Sequence, residues 1–303
     1  MKIIDVFNHI FPARCFEKFL DLARNLEDMG KRTRNVPMLV DLDTRFRVMD
    51  EFGDYSQILS LASPPIESYA GPELSPMFAR MANDEMAELV EGYPHRFPGF
   101  VASLPMNNPE AAAGELDRAI RELGARGAQI YTNVAGRPLD AREFAPLFDA
   151  LAAWDLPIWL HPARGANFAD YPVEEKSKYE IWWTFGWPYE TSVAMARLVF
   201  AGIFERNPDI KIIAHHMGGM IPYFEGRVGH GWDQLGARTS DQDYAALLGS
   251  LKKRPLDYFH MFYADTALFG ALPATRCGIE FFGADRIVFA SDSPFEPQPG
   301  LFI

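Results

Sequence analysis

Eight short apolar runs of strand character, separated by stretches of helical pattern, constrain this chain more than any other feature. They fall at residues 3–7, 56–61, 99–104, 127–131, 157–161, 211–215, 260–264 and 287–291. Between them, Leu116, Ala119, Ile120 and Leu123 recur at the spacing of one helix face, as do Phe144, Leu147, Phe148 and Leu151. Asn108 followed by Pro109 supplies a helix start, a side-chain acceptor for the first free N–H groups and a preset φ. Apolar strands that alternate with helices are parallel strands joined by crossovers. Eight of them predict an α/β fold, a (β/α)8 barrel in one domain over residues 1–303, with a small insertion at about 11–50 after the first strand. The last run leads into ASDSPFEPQPGLFI with no helix behind it, so the architecture predicts a further C-terminal segment.

Composition excludes several classes of function. Net charge is −12 and the longest basic run is Lys252-Lys253-Arg254, which leaves no clustered positive surface for nucleic acid. No stretch approaches 18 uncharged apolar residues, and the first residues lack the basic-then-apolar pattern of an export signal. Two cysteines, Cys15 and Cys277, are too few for a disulfide framework and fit a reducing, cytoplasmic setting. Aromatic residues crowd into IWWTFGWPYE, 181–190, a stretch irregular enough to be read as a loop.

The ends of the predicted strands carry the chemistry. His9 closes the first, His161 the fifth, His215 and His216 the sixth, and Asp292 the eighth. The C-terminal ends of barrel strands converge on one mouth, so these groups are expected to meet. Imidazole nitrogen and carboxylate oxygen together suit zinc and similar divalent ions with a position left open for water. The opening MKIIDVFNHIFP complicates this picture. Alternation along a strand puts positions 7 and 9 on one face, yet Phe7 can donate nothing to a metal. His95 and His260 lie apart from the set and are read as structural.

With these residues in view, the chain resembles the amidohydrolase superfamily. More narrowly it is similar to the branch of the 2-amino-3-carboxymuconate-6-semialdehyde and γ-resorcylate decarboxylases. The likeness runs from the first strand to SDSPF and is most specific in HMGGMIPYFEGRVGHGW, 216–232, with support from LHPAR. It implies His9, His161 and Asp292 as ligands of a divalent metal, zinc first and manganese second, and His216 as the catalytic, water-activating residue beside Asp292. It also implies that Arg227 reaches a neighbouring subunit's site, in a homodimer or larger assembly. Arg45 or Arg47 matches a second carboxylate-binding arginine, and Arg45 falls on the apolar face made by Leu42, Phe46 and Met49. Members of the family carry His or Glu where this chain has Phe7. The resorcylate group favours Glu where Gly219 stands. Phe7 therefore predicts a weakened or lost metal site whose wall has become apolar.

The expected activity is non-oxidative decarboxylation of a small aromatic or dienoic acid, with Arg45 and Arg227 gripping carboxylate and Phe7, Trp182 and Trp187 lying against the ring. The alternatives are hydrolysis of a lactone, ester or amide, or hydration, on the same ligands. A barrel kept only for binding is the third reading. No phosphate loop or organic cofactor motif is present.

Overall fold

The computed structural model of the chain describes residues 2–23 and 27–295. Strands β1 (Ile3–Asp5), β2 (Tyr55–Leu59), β3 (Gly99–Phe100), β4 (Ala102–Ser103) and β5 (Ala128–Tyr131) are followed by a small hairpin, β6 (Asn133–Val134) and β7 (Arg137–Pro138). After it come β8 (Ile158–His161), β9 (Ile212–Ala214), β10 (Tyr263–Asp265) and β11 (Ile287–Val288). Apart from the hairpin, every pairing is parallel, in the orders β1-β2-β3 and β11-β10-β9-β8-β5-β4. β3 and β4 are two halves of one predicted run, interrupted at Val101.

Backbone bonds join the two ends of this order. Val6 N–H donates to Phe289 O at 3.0 Å, Asp292 N–H to Phe7 O at 3.1 Å and His9 N–H to Ser293 O at 2.7 Å. The parallel sheet thus closes on itself, and β5, β8 and β9 are buried on both faces, as the apolar runs require. Burying one such aliphatic or aromatic side chain contributes about 1.5–3 kcal/mol.

Helices α1 (Ala13–Leu22), α2 (Asp28–Arg34) and α3 (Leu42–Asp50) occupy the segment between β1 and β2. They are followed by α4 (Ser75–Gly92), α5 (Pro109–Arg121) and α6 (Ala145–Ala153). α5 begins as the sequence predicts, with Asn108 Oδ1 accepting the Ala111 N–H at 3.2 Å. Two expectations need correction. The aromatic stretch 181–190 is helical, forming α7 (Ile181–Thr184) and the start of α8 (Gly186–Phe200). Pro188 sits in the first turn of α8, where a missing N–H costs nothing. The seventh strand begins at Tyr263 rather than at His260, because Pro255–Phe259 is a helix. That shift moves Asp265 onto a strand end. Among the described residues, no helix is long and apolar enough to cross a membrane.

Candidate metal centre

His9, His161, His215 and Asp292 meet at the barrel mouth, each buried, with their ligand atoms within 4.8 Å of one another. Each imidazole is aimed by its second nitrogen. His161 Nδ1 lies 2.7 Å from Pro162 O and His215 Nδ1 2.6 Å from Asp265 Oδ2, while His9 Nδ1 faces Ser60 Oγ at 3.4 Å. This is how metal-binding histidines are usually oriented, with one nitrogen on a carbonyl or carboxylate and the other left for the ion.

The electrostatics point the same way. His9 Nε2 is 2.9 Å from Asp292 Oδ1 yet lacks the geometry of a hydrogen bond, so a buried nitrogen is left without a partner. Burial, and then the neighbouring imidazoles His215 and His9, press the pKa of His161 well below its ordinary value. Burial also opposes charge on Asp292, but the imidazoles of His215 and His9 outweigh it and hold the carboxyl well below the usual range. Burial likewise opposes charge on His215, while Asp265 and Asp292 raise it to about 10. Its proton supplies the positive charge that the two carboxylates demand, and a divalent cation would supply the same charge in its place. The donor set therefore fits a divalent metal ion.

The segment after β9 explains how two adjacent histidines serve one mouth. His216 and Met217 both adopt left-handed backbone conformations, each with φ near 56°. Gly219 follows at φ 65°, where a Cβ would meet Pro188 O at 2.4 Å. Asp292 is also left-handed, at φ 54°. Such conformations cost energy in residues with side chains and gather where function requires them. His216 stacks on His215 at 3.7 Å, its N–H donates to Asp265 Oδ1 at 3.0 Å and its Nδ1 lies 2.7 Å from Ala267 O. Burial and the charge of His215 lower its pKa to about 4, so His216 is a neutral imidazole with Nε2 available as a base.

Two expectations fail here for physical reasons. Phe7 is 0% exposed and packs among Val101, Trp159, Ile213, Ala267 and Ala290, with its ring stacked on His215 at 3.8 Å. In the structure it packs as an apolar floor beneath the centre, where the sequence suggested an open wall. Arg45 is also 0% exposed, and its donors are spent on Gln57 Oε1 at 2.8 Å, Asn8 Oδ1 at 2.7 Å and His9 O at 2.7 Å. The apolar helix face that singled it out carries it into the core, where it fixes the backbone of a ligand.

Sequence reasoning counted His215 among the converging groups without naming it a ligand, and assigned no role to Asp265. The adjacency of two histidines at one strand end was the available signal for the first, and the acid in YAD at the end of β10 for the second. Trp182 and Trp187 line a cavity of about 410 Å³ bordered also by Pro162, and the Trp187 ring lies 5.6 Å from that of His161. Arg227 is exposed on the helix Glu225–Trp232. Both cysteines are free.

A parallel barrel with imidazoles and a carboxylate gathered at its mouth fits the class of barrel enzymes that hold a divalent metal ion. The family model described as amidohydrolase matches residues 4–301, and the chain belongs to that family. A γ-resorcylate decarboxylase of Polaromonas sp. strain JS666 is 37% identical over 268 residues, covering 85% of this chain and 78% of the relative. A 2-amino-3-carboxymuconate-6-semialdehyde decarboxylase of Dictyostelium discoideum is 30% identical over 266 residues, 87% of this chain and 70% of the relative. Among solved structures, the dihydroxybenzoic acid decarboxylase of Polaromonas sp. JS666, with bound manganese and the inhibitor 2-nitroresorcinol, superposes with a TM-score of 0.77. It is 32% identical and covers 98% of this chain and 88% of its own.

Proposed function

We propose that the chain is a metal-dependent carboxy-lyase that removes carbon dioxide from a small aromatic or dienoic acid without an oxidant. The observation that carries this reading is the convergence of His9, His161, His215 and Asp292 beside an aromatic-lined cavity of about 410 Å³. Those four residues would hold the ion, zinc by the nitrogen-rich donor set or manganese as in the Polaromonas relative. Bound there, the metal supplies positive charge that draws electron density from a substrate oxygen.

The chain's own residues do the rest. Trp182 and Trp187 hold the ring flat. When the bond to the carboxylate carbon breaks, its electron pair stays on the substrate carbon, which takes a proton. Asp292 and the neutral His216, held by Ala267 O, would move that proton. The free cysteines suit a reducing compartment.

Metal-loaded protein should release carbon dioxide from members of a panel of hydroxybenzoates and dienoic acids, and a chelator should abolish the release. Acid production from lactones or esters, with no carbon dioxide from any carboxylate, would replace this reading with hydrolysis.

Arg227, exposed on the helix Glu225–Trp232, would bind carboxylate in the site of a second copy. Mixing the Arg227→Ala and His216→Ala proteins, each inactive alone, should then restore part of the activity, because a mixed dimer regains one intact site. Exchanged subunits that stay inactive would sink the shared-site reading.

A further inference from the structure

The cavity beside the metal centre is chemically lopsided. Its charged lining consists of Glu27, Asp28, Glu67 and Arg164. Arg164 is already committed, with Nη1 at 2.6 Å from Glu190 Oε1 and its guanidinium 4.7 Å over the Phe168 ring. Asp28 Oδ2 accepts the Ala166 N–H at 3.0 Å and ties α2 to the loop after β8. Arg164, the one cation lining the cavity among the described residues, is thus already paired with an acid.

Glu67 stands out from the other acids. It sits on the short 3-10 turn Ile66–Ser68 after β2, and its Oε1 is shut off from solvent without a hydrogen-bond partner. Nearby polar atoms share this condition, since Tyr69 Oη and Gln129 Oε1 are also buried and unpartnered. Burial lifts the Glu67 carboxyl to about 7, so near neutral pH it holds a proton part of the time and can donate as well as accept. Tyr131 lies between the two regions. It feels the charge of Glu67, and its ring meets His161 edge-on at 5.1 Å. Glu67 lines the cavity, and a ligand group that hydrogen-bonds its carboxyl gains an interaction that an analogue lacking that group does not.

We propose that Glu67 reads the ring substituent of the substrate, hydrogen-bonding a hydroxyl or amino group on a monocarboxylic ring and turning away a second carboxylate. The substrate's one carboxylate belongs at the metal end. A second anion in this arm would face Glu27, Asp28 and Glu67 against Arg164, which Glu190 already neutralises. The proposal rests on the decarboxylase reading for the ligand being a ring acid, but recognition can be measured without turnover.

Trp182 and Trp187 line the same cavity, so quenching of tryptophan fluorescence reports binding. Manganese-loaded protein would be titrated with monohydroxybenzoates, the corresponding methoxybenzoates and the benzenedicarboxylates. The wild type should bind its best hydroxybenzoate at least roughly tenfold more tightly than the matching methyl ether, and the dicarboxylates most weakly. Glu67→Leu should erase the hydroxyl preference. Glu67→Gln should keep that preference while relaxing the rejection of dicarboxylates. A wild type without the preference overturns the proposal. So does a Glu67→Leu protein that weakens hydroxy and methoxy ligands by one common factor. Should the leucine variant fail to fold, unchanged rejection of dicarboxylates by Glu67→Gln overturns it instead. Carbon dioxide assays on the same panel separate the two readings: the binding pattern without any release sinks the reaction and leaves the recognition intact.

Discussion

Asp292→Asn should lower carbon dioxide release by roughly a thousandfold, within the range lost when a positioned acid–base or charge-stabilising group is removed. The carboxylate faces His9 Nε2 at 2.9 Å and His215 Nε2 at 3.4 Å, and it is the one anionic donor in the cluster. Asparagine keeps the shape and one oxygen but removes the charge. The three imidazoles then face a cation without neutralisation, so bound metal should also fall after dialysis. Turnover and elemental analysis on the same sample check both effects. An asparagine variant with full metal and full turnover would exclude Asp292 from the centre and from catalysis.

The second large effect concerns stability. Arg45→Met leaves Gln57 Oε1, Asn8 Oδ1 and His9 O buried and unpaired. Each buried acceptor left unpaired in this way costs about 1–3 kcal/mol. Together these are a large part of the roughly 5–15 kcal/mol by which a domain is stable. The urea midpoint should drop strongly, and metal affinity should drop with it, because the backbone of His9 loses its anchor. A variant with an unchanged midpoint but lost affinity for carboxylates would return Arg45 to the substrate-binding role that its sequence position first suggested.

Arg45 and Phe7 mark where sequence stops being informative. The barrel was legible because a parallel strand buried on both faces leaves an apolar run that few other structures produce. The meeting of His9, His161 and Asp292 was legible because each terminates such a run. Whether a side chain near the mouth points into the cavity or beneath it depends on a rotation of a fraction of a turn at the strand end, and no periodicity encodes that. Phe7 shares a strand face with His9 and still lies under the centre. The pair His215-His216 shows the same limit in another form. Two left-handed residues after β9 decide which histidine joins the cluster and which stands beside it, and nothing in the letters HHMGG specifies that order. Asp265 was missed for a simpler reason, a strand boundary placed one residue short.

The bonds that seal β1 against the segment 289–293 carry a consequence for how the protein is made. His9 and Asp292 approach each other only when the first and the last strands have joined, a contact between opposite ends of the sequence and therefore entropically late. Before that seam forms, a chain emerging during synthesis has at most His161 and His215 near one another, on the neighbouring strands β8 and β9 and their edge. Tight metal capture thus belongs to the finished barrel. By mass action the ion favours that state over every species whose seam is still open. The centre serves the chain's chemistry and also registers that its folding is complete.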